Sequence, residues 1–258
     1  MRLLSVSLLK LVRRPASRRT IAVMAGFLAM VYIAVGSATK ALPDGDQRSA
    51  MEQILAFPEA YHSLASMLVT FVGLAAAAYA GTIAGSEWSW GAFRVAISRG
   101  ESRAGYVLGT FLALAVVVAI AWLALFALGI VLVLIAGALG GVAAGDVTGS
   151  LATVLGLLAA GWWAVAMQAA IGFTASFVSR SQVAGIAAIV AIMLGEQFGA
   201  MFLPSEVLRL APLGASSSLL FRVTEGATLE AAAAAMIGLY LVAAIGLASM
   251  LARRTEVA

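Results

Sequence analysis

The chain is built around apolar runs too long and too poor in charge for the core of a soluble domain. Six of them stand out, at Ile21–Ala38, Ala60–Gly85, Tyr106–Gly137, Ser150–Phe177, Val183–Leu203 and Ala231–Leu251. As helices they match or exceed the hydrocarbon core of a bilayer, which takes about 20 residues. Hydrophobic residues make up 63% of the 258 and charged ones only 11%, against about 25% charged in soluble domains. Backbone polar groups in lipid must be satisfied within their own segment, so spans of this length are helices. The expected fold class is therefore all-α: a polytopic membrane protein, residues 1–258 forming one transmembrane domain with six spans.

The segments between the runs set the expected orientation. Residues 1–20 carry six Lys/Arg; Leu4, Leu8 and Leu11 make an apolar stripe opposite Arg2, Lys10, Arg13 and Arg14, which suits an interfacial helix ended by Pro15. Residues 39–59 form a polar loop with a Pro43-Asp44-Gly45 turn signal. Residues 204–230 are too polar to span and too apolar for a free loop, and read as one or two short interfacial or re-entrant helices. With both termini on the cytoplasmic side of a cell membrane, twelve of the sixteen Lys/Arg fall inside, and nine of the twelve acidic residues fall outside. That is the positive-inside pattern. A pI near 9.9 therefore reports orientation and calls for no nucleic-acid partner.

Several chemistries drop out. No cysteine is present and only one histidine, which removes thiolate metal sites and histidine clusters; no metal and no cofactor is expected. A nucleotide-binding loop needs Lys followed by Ser or Thr. The two lysines are Lys10, before Leu11, and Lys40, before Ala41, so no such site exists and the chain is not expected to be an enzyme. His62 and the turn Gly214-Ala215-Ser216-Ser217 only distantly suggest a serine–histidine pair, the final glycine being absent. Glu196, within the fifth run, is expensive in lipid, at roughly 2.5–3.5 kcal/mol on insertion scales. It reads either as a residue of a substrate path or dimer contact, or as a carboxylate meeting the outer headgroups. Gly81/Gly85, Gly105/Gly109, Gly137/Gly141 and Gly195/Gly199 are small-xxx-small pairs that permit close helix approach.

The segment Ser86 to Arg103 is the one extended charged stretch between two long runs, with two Trp, one Phe, two Glu and three Arg. On a continuous helix Glu87, Gly91, Arg94 and Ser98 form one stripe, and Trp90, Phe93 and Ile97 another. Adjacent polar and aromatic stripes suit docking against a protein at the membrane surface; an interfacial loop with Trp at headgroup depth accounts for the same residues.

The order of a basic amphipathic helix, six spans, a Glu-Gly-Arg loop after the second and a short-helix segment before the last resembles the permease subunits of the type-two ATP-binding-cassette (ABC) transporter superfamily. The motif similarity lies in Glu87-x-x-x-Gly91-Ala92-x-Arg94, then Ser98-Arg99-Gly100 and Ser102-Arg103, with Ala92 where the family usually has Thr. What the resemblance implies is an exporter. Residues 86–103 would be the coupling loop seated on a separate ATPase subunit, through Glu87, Trp90, Gly91, Phe93, Arg94, Arg99 and Arg103. Residues 1–20 would be the elbow helix, and a second permease copy would complete the transporter in the lipid bilayer. A non-transporting membrane scaffold and a stand-alone secondary carrier are the competing readings.

Overall fold

The computed structural model describes residues 7–11, 14–147, 151–223 and 230–254, the side chains of 222, 223 and 230 excepted. Part of the elbow (1–6, 12–13), of the turn before the fourth run, of segment 204–230 (224–229) and the last four residues thus lie outside the described residues. Among those described the fold is all-helical; the one β-type contact is an isolated bridge between Phe57 and Gly145. In chain order the helices are α1 (Pro15–Ala41), α2 (Asp46–Leu55), α3 (Glu59–Ser89), α4 (Ala92–Ser98), α5 (Arg103–Gly140), α6 (Leu151–Ser179), α7 (Ala184–Gly199), α8 (Ser205–Leu208), α9 (Pro212–Val223) and α10 (Glu230–Arg254).

Local chemistry explains the boundaries. Pro15 occupies the first turn of α1, where its missing N–H is no loss. Residues 15–20, expected in the elbow, therefore belong to the first long helix. Leu42, placed before Pro43, is extended and stops α1. Ser102 caps α5 by accepting a hydrogen bond from the Gly105 N–H at 3.1 Å. Two helices end at left-handed glycines, α4 at Gly100 (φ 88°) and α5 at Gly141 (φ 73°). The Glu101 N–H then reaches the Ala96 carbonyl and the Val142 N–H the Gly137 carbonyl.

Among the described residues five helices are long and apolar enough to cross a membrane: α1, α3, α5, α6 and α10. The fifth expected run contributes only the sixteen residues of α7, about 24 Å of helix, because the chain turns at 200–203 rather than continuing to Leu203. Segment 204–230 contains two short helices, α8 and α9, as its mixed polarity suggests.

The core is the α3–α6 pair, which approach closely through small residues. A Cβ on Gly172 would meet the Ala77 Cα at 2.8 Å. Gln168, 1% exposed, donates to the Val69 carbonyl at 3.1 Å, so the one amide in this contact is satisfied. Trp122 of α5 fills the notch at Gly161 and donates to the Leu158 carbonyl at 3.0 Å. On the other side α10 is tied to α6 by Trp163 to the Ala234 carbonyl and Thr174 to the Ala244 carbonyl. α1 lies along α5, where Gly36 leaves room for the Ala136 backbone. The faces left over are apolar, with Ile120, Leu123 and Val131 of α5 and Leu239 and Val242 of α10 exposed. In water such a surface would drive aggregation; in acyl chains it is at rest.

Candidate functional site

The end of α3, all of α4 and the start of α5 meet the described N-terminal segment at one end of the bundle, here called the basic end. At its centre is Glu87, in the last turn of α3 and only 2% exposed. A carboxylate so placed costs several kcal/mol unless paired, and three side chains compensate it. Lys10 Nζ lies 2.5 Å from one oxygen and Arg14 Nη2 lies 3.8 Å from the same one. The Tyr106 hydroxyl, from the first turn of α5, donates to the other. Arg14 also donates to Ser86 Oγ at 3.1 Å and stacks 4.7 Å from the Trp90 ring centre. Three separate pieces of chain are thereby tied to one buried anion.

Below this hub an aromatic cluster seats α4. Phe93, fully buried, packs against Trp88, Tyr106 and Phe177 with ring centres 4.9, 5.6 and 5.6 Å away. The Trp88 indole N–H donates to the Phe177 carbonyl at 3.0 Å, fixing the indole against the end of α6. Arg103 donates to the Arg253 carbonyl at 2.9 Å, joining the start of α5 to the end of α10.

The residues expected to act together are therefore divided. Gly91 is left-handed (φ 66°) and breaks the chain between α3 and α4, so the single stripe Glu87–Gly91–Arg94–Ser98 does not form. Glu87 is not exposed and does not pair with Arg94; it turns inward to Lys10 and Arg14. Phe93 is not an exposed anchor but a core residue, because the turn at Gly91 rolls its side of α4 onto the aromatic cluster. What remains outward is Trp90 (67% exposed), Arg94, Val95 and Arg99. The partners of Glu87 were hidden in the sequence, since Lys10 and Arg14 read as the solvent arc of an interfacial helix. A lone carboxylate at the end of an apolar run, with an excess of cations upstream, was the available signal.

At the opposite end Glu196 accepts hydrogen bonds from the Leu213 and Gly214 N–H groups, both at 2.9 Å. It caps the first turn of α9 from a different helix, which accounts for a carboxylate at this depth. A cavity of about 500 Å³ lies nearby, lined by His62, Ser66, Arg209, Ser217, Phe221 and Met236 among others. His62 and Ser216 do not form a relay: Ser216 donates to the Pro212 carbonyl at 2.8 Å, and His62 Nε2 has no hydrogen-bond partner. Among the described residues no cluster of His, Asp or Glu could hold a metal ion. A scan against protein-family models, a search of curated proteins and a search of solved structures each return no match.

Proposed function

We propose that the chain is the permease subunit of an ATP-driven exporter of the type-two ABC class. It forms six crossings with α7 as the fifth, keeps both termini cytoplasmic, and uses α4 to engage a separate ATPase. One observation carries the reading: a seven-residue helix is held off the end of α3 by a glycine turn and locked from behind through Phe93, next to the buried Glu87 ion pair. A loop that only floated among headgroups would have no need of a buried ion pair. A loop that must transmit force does, because displacement of α4 is then passed through Phe93 to Trp88 of α3, Tyr106 of α5 and Phe177 of α6 at once. The outward residues Trp90, Arg94, Val95 and Arg99 form the contact, Trp90 and Val95 supplying apolar area and the arginines orientation. Glu87 and Phe93 position it. In the expected two-fold dimer the contact includes the first or fifth span and segment 204–230.

The test is co-purification with a co-expressed ABC ATPase followed by hydrolysis assays. Trp90→Ala with Arg94→Glu should leave expression and folding unchanged and lower ATPase recovery at least tenfold, or about 1.4 kcal/mol. Undiminished recovery with undiminished substrate-stimulated hydrolysis would sink the proposal.

A further inference from the structure

At the basic end a second cavity, of about 180 Å³, opens between the ends of α3, α6 and α10, lined by Trp88, Phe177, Val178, Arg180, Leu251 and Arg254. Arg180 is its most informative member. It stands one residue past α6 with φ 56°, the only left-handed residue other than glycine among those described. The turn is built like those after α4 and α5: the Ser181 N–H reaches back to the Ser176 carbonyl at 3.2 Å. In those two turns the left-handed position is glycine, Gly100 and Gly141. An arginine there is strained where glycine would be at ease, so its side chain has a use that offsets the backbone. The guanidinium lies 4.6 Å from the Trp88 ring centre, at the mouth of the cavity. Arg254, in the last turn of α10, supplies a second cation. Neither pairs with a carboxylate among the described residues.

We propose that this cavity holds the headgroup phosphate of one anionic phospholipid. The two guanidiniums bind the phosphate, and the acyl chains run along Val178, which is exposed, and Leu251. The proposal needs the helix ends to lie at headgroup level, as the membrane reading places them, and is otherwise independent of any ATPase. Its chemistry is that of a basic pocket between helix ends, with planar guanidiniums matched to phosphate oxygens. Occupancy also bears on α4. The lipid would hold Arg180 on Trp88, and Trp88 is one wall of the pocket for Phe93, so a bound headgroup stiffens the seat of the loop.

The experiment is native mass spectrometry of the full chain in detergent, titrated separately with phosphatidylglycerol and phosphatidylcholine of the same acyl chains. The wild type should retain one phosphatidylglycerol in preference to phosphatidylcholine. Arg180→Gly, which suits the left-handed backbone, should fold normally and lose about fivefold of that preference, as should Arg254→Gln. Arg48→Gln, in α2 at the opposite end, should change nothing. Equal retention of the two lipids, or an unchanged preference in either folded variant at the site, overturns the proposal. So does displacement of phosphatidylglycerol by millimolar sodium phosphate, which would assign the pocket to a free anion. Loss of ATPase recovery in these variants with lipid retention intact would likewise overturn it, giving the arginines to a protein partner. The titration contains no ATPase, so it succeeds or fails separately from the exporter reading.

Discussion

Two carboxylates decide how the ends of the molecule are held, and they do so differently. Glu87 faces Lys10 and Arg14, whose side chains are 36% and 13% exposed. Glu87→Ala would leave the mostly buried Arg14 without an anion. Breaking a fully buried pair costs about 3–5 kcal/mol, and solvent at Lys10 screens part of that, so a loss of about 2 kcal/mol is expected. It should appear as a lower unfolding midpoint in detergent together with faster trypsin cleavage after Lys10, Arg14 being shielded by the Pro15 that follows it. Unchanged cleavage would mean that the N-terminal segment does not depend on the ion pair. Glu196→Ala removes a cap worth about 1 kcal/mol. Its signature is local, namely faster amide exchange at Leu213 and Gly214, with Glu196→Gln recovering part of the protection because its amide oxygen still accepts. If exchange at those amides stays as in the wild type, the cap is incidental. Sequence alone singled out Glu196 as a carboxylate within an apolar run and Glu87 as one member of a polar stripe. Their partners lie 77 and 17 positions away, which no local pattern reveals.

At the scale of elements, most of the helices could be read directly and the turns between them only in part. Apolar length places α1, α3, α5, α6 and α10 because lipid leaves the backbone no alternative to helix. The break at Gly91 was less legible, since a glycine within a helical stripe is tolerated as often as it ends one. It is the break that sends Phe93 inward and Trp90 outward. A Cβ on Gly91 would meet nothing within 4 Å, so Gly91→Ala isolates the backbone conformation itself. The expected loss is about 1–2 kcal/mol, read as reduced thermal stability with Trp90 still accessible to a collisional quencher. A gain in stability would show that α3 and α4 prefer to be continuous. The small-xxx-small pairs also resolve at this scale. Gly81 and Gly85 face Gly185 and Gln182 at the start of α7, within the chain, and so contribute packing rather than a contact between copies.

For the whole molecule, the layout is tested most simply by labelling, since no native cysteine interferes. Ser49, Ser98 and Ser217 are all exposed. A membrane-impermeant maleimide applied to intact cells should reach Ser49→Cys and Ser217→Cys but not Ser98→Cys. Labelling at Ser98→Cys alone would invert the molecule, and labelling at all three would dismiss the layout. The same layout gives the brevity of α7 a physical consequence. As a crossing, α7 at about 24 Å would fall short of a hydrocarbon slab of about 30 Å, while α5, at 38 residues, far exceeds it. The two cannot both match one flat bilayer. Where lipid rather than a second copy borders a crossing α7, the membrane is pinched, and beside α5 it thickens or the helix tilts. Acyl chain length then becomes a variable acting on one side of the protein. In nanodiscs of stepwise longer lipids, amide exchange should quicken first at residues 196–203 and leave the α3–α6 core unmoved, whereas uniform quickening would show that the bilayer does not meet α7 as a crossing. With α7 as a crossing, the molecule would carry its own lens of thinned membrane along that flank.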